Sequence, residues 1–569
     1  MEKRWLLKPF DSALATALEE RHGFSPLLCR LLAQRGIEAG EAAERFLQPS
    51  LAQLPDPQLL SGMSAAVARL IAAIRDHEKI VIYGDYDVDG TTSTALLMDF
   101  FEELGASVDY YIPHRVREGY SLNAEALRKI RAGGAKVVIT VDNGISALRE
   151  AEVARELGID LIITDHHEVP PELPQAFAVI NPKLPGDAFP GKELAGVGVA
   201  FYLLVALRKA LREAGLLGDR EPNLRRALDL VAVGTIADMA PLTGVNRILV
   251  KEGLKVLEHS SRPGLKALKE ISGVEGPVAA DQVAFRLGPR INAVGRLDDA
   301  AFGVKLLLCR REDEARELAR RLDQANAERQ EIEEKIVEEA CARVEAEALT
   351  GQRRSLVLFQ EDWHPGVIGI VASRLVERYH LPAIVLTRDG DAIKGSARSI
   401  RGLNLVEGLR SCASHLSKFG GHFYAAGLTL PRDKLEAFIS DFDREVRQRV
   451  AEEDFAPSLR VDVESEMDSI EASLLEELGR LEPFGCGNPE PVLLLRGVEV
   501  QESRIVGERH LRLRVKAGRR SLGAIGFRLA EKRPALSAQV DLACVPGWNE
   551  WNGNKSIQLR MVDLRLADQ

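Results

Sequence analysis

No stretch of this chain approaches the 18 consecutive apolar residues that a membrane helix needs, so neither a bilayer span nor a membrane partner is expected. Cysteine is sparse: six residues in 569 (positions 29, 309, 341, 412, 486 and 544), none in a CxxC pair. Such spacing argues against a zinc ribbon, a redox dithiol or a disulfide framework and predicts reduced, mostly buried thiols. A basic excess is also missing, since 75 Lys and Arg against 85 Asp and Glu leave a net charge of −10. That balance weighs mildly against a nucleic-acid partner, although a whole-chain sum conceals local patches. The opening MEKRWLLKPFDSAL has neither a long apolar core nor a small-residue cleavage site, so the expected location is cytoplasmic.

The chain is long enough for three or four domains, each with ample burial. From residue 79 to 165, short β-branched runs (KIVIYG, VDYYIP, KVVITV, DLIIT) alternate with helical stretches at 92–104, 122–132 and 146–157. This repeated βαβ pattern predicts a parallel sheet with helices on both faces, and such sheets bind ligands beyond the carboxyl ends of their strands. Residues 311–349 contain no Gly or Pro, and their apolar positions recur at helical spacing. The segment predicts one helix of roughly 58 Å bridging two lobes. A second α/β unit follows over 354–450, with glycine-rich GSARS and FGGHFYAAG read as ligand loops. After the Pro/Gly-rich stretch 483–491, short alternating strands predict an all-β module of OB-barrel size. There Arg512, Arg514 and Lys516 alternate with Leu511, Leu513 and Val515, which puts basic groups on one strand face, either to track phosphates or simply to meet solvent.

Three polar clusters carry the chemistry. GDYDVDG (84–90) directly follows KIVIY, and its twelfth position counted from Asp85 is Leu96 where a calcium loop needs Glu, which excludes an EF-hand. Asp87-Val88-Asp89-Gly90-Thr91 also fits the DxDGT nucleophile loop of haloacid-dehalogenase-like phosphatases, but Gly84-Asp85-Tyr86 separates it from its strand. The remaining chemical reading makes these carboxylates metal ligands; an acidic turn capping the next helix is the bland alternative. Asp142 alone would be a strand-to-helix cap. Asp165-His166-His167-Glu168 changes that reading, because adjacent imidazoles at the same sheet rim as several aspartates suit metal ligation. Asp238, after the apolar run VAVGTIA, follows the same logic more weakly.

Taken in order, GDYDVDG, TVDNGIS, DHHE, TIAD, PRINAVGRL, GSARS and FGGHFYAAGL resemble the successive motifs of the DHH phosphoesterase family, specifically its RecJ-type single-stranded-DNA exonucleases. The resemblance runs from about residue 45 to the C-terminus. It implies a DHH parallel-sheet domain (51–310), a long connecting helix (311–350), a DHHA1 domain (351–455) and an OB-like barrel (456–569), after an N-terminal segment (1–50) without a usable motif. The implied activity is 5′-to-3′ hydrolysis of single-stranded DNA to mononucleotides in recombination and repair. The alternatives are a small-substrate DHH phosphatase or oligonucleotidase, a haloacid-dehalogenase-like phosphatase, and a non-catalytic nucleic-acid-binding relative, the last of which would lack metal ligands that are all present here.

By the same likeness two divalent cations, Mn²⁺ or Mg²⁺, are held by Asp87, Asp89, Asp142, His166 and Asp238, with Asp142 bridging and Asp85 as a possible further ligand. Asp89 and Asp142 thereby belong to the catalytic set. His167 faces the reacting phosphate or leaving oxygen. Ser396 and Arg398 resemble the grip on a 5′-terminal phosphate, and Arg115, Arg290, Arg296 and His422 are expected along the backbone path. A single-strand-binding protein and a helicase are the implied protein partners.

Overall fold

The computed structural model describes residues 3–115, 118, 121–218, 221–551 and 554–567. Strands β2 (Lys79–Tyr83), β3 (Val108–Tyr111), β4 (Ala135–Val141), β5 (Asp160–Thr164) and β6 (Ala178–Ile180) form a parallel sheet in the order β3-β2-β4-β5-β6. Successive side chains of a strand point to opposite faces, and both faces here are dry. Ile80, Ile82, Val137, Ile139 and Ile162 enter one core with the helices Met63–Arg75, Val88–Glu103, Gly196–Glu213 and Leu228–Ala237. Val81, Tyr83, Val138, Leu161 and Ile163 enter another with Ala124–Ala132 and Leu148–Glu156. The chain passes outward from β2 to β3 and then back across to β4, so the crevice between β2 and β4 is the topological switch point where ligands collect.

The bridging helix is Glu312–Ala346, about 52 Å long at about 1.5 Å per residue. Ala315, Ala319, Leu322 and Ala325 belong to the core of the first lobe, whereas Ile336, Ala340, Cys341 and Val344 belong to that of the second. Between these apolar halves lie three buried polar residues, Asn326, Arg329 and Glu333.

The second lobe is a mixed sheet in the order β10-β11-β9-β8-β7, built from β7 (Leu356–Phe359), β8 (Ala383–Asp389), β9 (Ala392–Arg398), β10 (Lys418–Gly421) and β11 (Ala425–Pro431). GSARS, expected as a loop, lies almost wholly within β9, where Gly395 and Ser396 pair with Leu428 and Gly427 of β11. Its alternation places Ile393 and Ala397 inward and leaves Ser396 and Arg398 on the opposite face. FGGHFYAAG is a hairpin joining β10 to β11.

The last domain is a barrel of β14 (Leu493–Val506), β15 (His510–Ala517), β16 (Arg520–Gly526), β17 (Gln539–Trp551) and β18 (Asn554–Leu566), closed by pairing of β14 with β17. A short strand, β13 (Val463–Glu464), extends it beside β14. The first 50 residues do not stand apart from this barrel. Strand β1 (Arg4–Leu7) pairs in parallel with β12 (Ser458–Val461), and Leu18, Leu28, Leu31 and Leu32 share one core with Leu495, Leu513, Leu542 and Leu559. Arg247 of the first lobe, fully buried, donates to the carbonyls of Phe46, Arg480 and Leu481, tying three stretches of chain together. Leu242 N donates to Cys486 O at 2.7 Å, fixing the stretch that leads into the barrel close to Asp238.

Five of the six cysteines are buried, Cys486 is exposed, and all are free thiols. Among the described residues no single helix is long and apolar enough to cross a membrane.

Candidate metal centre and substrate groove

The GDYDVDG segment folds as a tight turn between β2 and the helix Val88–Glu103. Asp87 is the N-cap, its Oδ1 accepting from Gly90 N at 3.0 Å, an arrangement typically worth about 1 kcal/mol. Gly90 is required by close approach, since a Cβ there would lie 2.6 Å from the backbone N of Asp85. Asp89 points across to a second helix, Gly196–Glu213, and accepts from Gly196 N (2.8 Å) and Val197 N (2.7 Å). Those first-turn amides satisfy a buried carboxylate that side-chain donors do not reach.

Asp142 follows β4 with φ +62°, a left-handed conformation that Asp tolerates better than most residues. The neighbouring Asn143, fully buried, donates to Val141 O at 2.9 Å and closes the turn. Asp165, after β5, is consumed in bracing: its Oδ1 meets the amides of His166 and His167 and the Nδ1 of His167 (2.7 Å), and its Oδ2 accepts from Ile145 N. Asp238 caps the C-terminus of the helix Leu228–Ala237, so VAVGTIAD brings its carboxylate in on a helix and not on a strand end.

These elements converge. His166 Nε2 stands 3.0 Å from Asp142 Oδ1 and 3.9 Å from both Asp89 Oδ2 and Asp238 Oδ2. Two acidic groups, Asp85/Asp87/Asp142 and Asp89/His166/Asp238, each place their ligand atoms within 4.8 Å of one another. Asp85 Oδ1 and His166 Nε2 are buried and make no hydrogen bond, which is how protein atoms look when a cation is their partner.

The charges show the same crowding. Burial, then the charge of Asp87, pushes Asp89 up to about 7, and burial with Asp89 and Asp87 pushes Asp238 up to about 9. Asp85 and Asp142 are raised well above the usual carboxylate range for the same reasons. His166 is driven down to about 3 by burial and by His167. For His167 burial pulls downward, but the hydrogen bond and charge of Asp165 overcome it and lift the ring to about 9.

Facing this acidic rim is an equally crowded cationic one. Arg296, nearly buried, is lowered to about 9 by burial and by the nearby Arg115, Arg329 and Arg398. Its Nη1 donates to Gly366 O at 3.0 Å, across the seam between the lobes. Arg115 stacks on the Tyr86 ring at 4.7 Å, beside the metal-loop aspartates. Arg398 donates to Ser396 Oγ (3.3 Å), and both side chains crowd Gly369 in the first turn of the helix Ile368–Tyr379. His422, in the β10–β11 hairpin, brings its ring centroid to 6.4 Å from that of His167, so the second lobe reaches the acidic rim. Arg290 is directed elsewhere, donating to Asp323 of the bridging helix at 2.8 Å and to Arg286 O. On the barrel, Arg512, Arg514 and Lys516 do lie on the exposed face of β15, with Arg514 3.5 Å from Glu502.

Several residues here escape the sequence pattern. Asn292 Oδ1 accepts from Val88 N at 3.2 Å and so fixes the GDYDVDG turn from 204 residues away. Arg329 joins the cationic rim from the bridging helix, its guanidinium held by Glu333 and Asn326. Asn292 lies inside PRINAVGRL, where a polar residue in an apolar helix was the available signal.

Comparison with known proteins agrees with this architecture. The DHH family N-terminal domain matches residues 79–235, the DHHA1 domain 352–448 and the RecJ OB domain 461–563. The single-stranded-DNA-specific exonuclease RecJ of Escherichia coli (strain K12) is 42% identical over 94% of this chain and 95% of its own length. RecJ of Bacillus subtilis (strain 168) is 41% identical over 99% of this chain and 71% of its own. The crystal structure of RecJ from Thermus thermophilus in complex with Mn²⁺ superposes with a TM-score of 0.84 at 34% identity, covering 100% of this chain and 80% of that one. Its Mg²⁺ complex gives 0.78 at 33%, covering 100% and 78%. With all three domain models matched in order and full-length relatives at this identity, the chain belongs to the RecJ family, built from DHH, DHHA1 and RecJ OB domains.

Proposed function

We propose that this protein is a metal-dependent exonuclease that hydrolyses single-stranded DNA from its 5′ end to mononucleotides, serves recombination and repair, and works in the cytoplasm. The reading is carried by one juxtaposition: a cluster of buried and half-buried carboxylates and imidazoles set opposite a cluster of half-buried guanidiniums. A phosphodiester with two divalent cations satisfies both. The Escherichia coli and Bacillus subtilis relatives named above are single-stranded-DNA-specific exonucleases, and the Thermus thermophilus RecJ structures carry Mn²⁺ or Mg²⁺.

Asp87, Asp89, Asp142, His166 and Asp238 would hold the two cations, with Asp142 shared between them and Asp85 in reserve. When bound, such a pair supplies hydroxide at neutral pH and neutralises charge on the transferring phosphoryl group. An imidazole among the ligands suits Mn²⁺ somewhat better than Mg²⁺. Asp165 accepts from Nδ1 of His167, so Nε2 is the nitrogen that would deliver a proton to the departing 3′ oxygen. Ser396, Arg398, Arg115 and Arg296 would grip the terminal 5′ phosphate, a dianion suited to guanidinium forks. Hydrolysis leaves a new 5′ phosphate on the shortened strand, so each turnover regenerates the group this grip needs. His422 would steady the backbone between grip and metals. The small-substrate phosphatase is disfavoured by the closed barrel, which a mononucleotide substrate does not need. A haloacid-dehalogenase-like mechanism is disfavoured because Asp87 is an N-cap with its Oδ1 bonded to Gly90. A single-strand-binding protein and a helicase, which would deliver the strand, complete the proposal.

The test is incubation with Mn²⁺ of single- and double-stranded DNA labelled at either end, comparing the unmodified protein with Asp142→Ala. Mononucleotides should leave free 5′ ends of single strands only, and the substitution should lower the rate by ~10³-fold or more. Release from 3′ ends, equal attack on duplex, or an active Asp142→Ala variant would refute it.

A further inference from the structure

The hairpin between β10 and β11 carries two side chains that its own geometry does not call for. His422 N donates to Ala425 O at 2.7 Å, closing a turn whose central residues are Phe423 and Tyr424. Central turn positions usually hold Gly, Asn, Asp or Pro, which supply the required backbone angles. Here they hold two large aromatics, with 42% and 56% of their surfaces exposed. Neither ring contributes to the core of this lobe. The two lean on each other with centroids 4.7 Å apart at 60°, an arrangement that leaves ring surface facing outward. Their backbone is pinned, since Leu405 N donates to Phe423 O (2.9 Å) and Ser399 N to Tyr424 O (3.0 Å). The rings are therefore presented from a fixed support.

Their position is as informative as their exposure. The preceding residue, His422, reaches the metal rim at His167, and Ala425, the residue after them, pairs with Arg398 of the cationic rim. The floor beside the tip is bare: a Cβ placed on Gly420 would meet nothing within 4 Å, and one on Gly427 only a carbonyl oxygen at 3.9 Å. An exposed aromatic pair between a phosphate grip and a metal centre, above an open floor, has the chemistry of a base-stacking platform. Every nucleobase has a π face, so such a platform is indifferent to sequence, and it can be used only when the base is not paired and stacked within a duplex.

We infer that Phe423 and Tyr424 stack on unpaired bases of the strand entering the groove and thereby contribute to the preference for single strands. This rests on the exonuclease reading above and adds to it a determinant that grips bases, whereas the arginines grip phosphates. Removing both rings should raise KM for single-stranded DNA about 10-fold or more, with kcat changed much less.

The experiment compares the full-length protein with Phe423→Ala/Tyr424→Ala on two single strands of equal length, one normal and one with abasic sites over its first several 5′ nucleotides. The double variant should lose affinity for the normal strand and match the unmodified protein on the abasic one. A strand carrying 2-aminopurine near its 5′ end, titrated in EDTA to prevent cleavage, should be quenched by the unmodified protein and not by the variant. Phe423→Trp/Tyr424→Phe, which keeps both rings, should retain normal KM, whereas Phe423→Leu/Tyr424→Leu, which keeps bulk alone, should behave as the alanine variant. Equal losses on normal and abasic strands, or no loss on either, would overturn the inference. If the unmodified protein failed to cut any single strand, the exonuclease reading itself would fall, a distinct outcome.

Discussion

The two sides of the groove differ in sign and share a design. On the DHH side, the buried Asp85, Asp89 and Asp142 and the half-buried Asp238 are gathered together and raised above their ordinary range by desolvation and mutual repulsion. On the facing side, Arg296 and Arg398 are lowered by burial and by neighbouring guanidiniums. Elsewhere the protein neutralises its buried charges internally, as where Arg262 meets Asp229 and Asp99. At the groove, by contrast, like charges are gathered on each side to meet an outside partner. Perturbation of this kind, with its cause visible, marks a working site, and the sign of each cluster states what it calls for.

The sharpest way to break this comparison is to supply one partner and withhold the other. Chelation should abolish hydrolysis, and it should also uncover a pH dependence of stability. In the metal-free protein Asp89 and Asp238 keep their protons to about 7 and about 9, whereas an unfolded chain releases them near 4. The folded state then binds more protons, so its stability is greatest below that unfolded value and falls as pH rises through 7 and 9. Thermal melts in EDTA should decline between pH ~5.5 and ~8.5, and Mn²⁺ should restore most at the alkaline end.

On the cationic side, Arg398→Ala should raise KM by ~10–100-fold for a 5′-phosphorylated strand and far less for a 5′-hydroxyl strand, as steady-state kinetics would show. Arg398→Lys should recover only part, because a point charge does not reproduce the fork. A smaller effect, chiefly on kcat, is expected from Asp165→Asn, which touches neither cation nor strand but holds His167. About 10-fold or more should be lost, with a changed pH–rate profile and KM nearly constant. Least of all, Arg512→Ala with Arg514→Ala should weaken binding a few-fold and reduce the salt slope of log K by about one for each arginine that had neutralised a phosphate. Substitution is the right tool there, since deleting the barrel would strip the N-terminal helices of their core.

How much of this was legible in the chain follows physical lines. The parallel sheet and its rim could be read because β-branched runs and acidic termini are local signals, and Asp142 and His166 meet where alternation puts them. Asp238 was the faintest of these signals: it ends an apolar run that folds as a buried helix, so no strand end marks it as part of the rim. GSARS looked like a loop because Gly and Ser dominate it, yet strand pairing overrides that preference. Asn292, Asn143 and Arg329 left little trace, because the worth of a buried amide or guanidinium lies in partners that only the folded chain assembles. The N-terminal segment was opaque for the same reason, its apolar face having no meaning until the barrel exists.

That last pairing sets an order of events during synthesis. Strand β1 hydrogen-bonds to β12, and Leu18, Leu28 and Leu31 pack against barrel residues that leave the ribosome some 500 residues later. At about 5–20 residues per second the first helices wait for tens of seconds with their apolar side uncovered. Helices made well before the barrel thus reach their final place only after it, and a nascent chain halted short of the barrel would display their apolar face for chaperones to recognise.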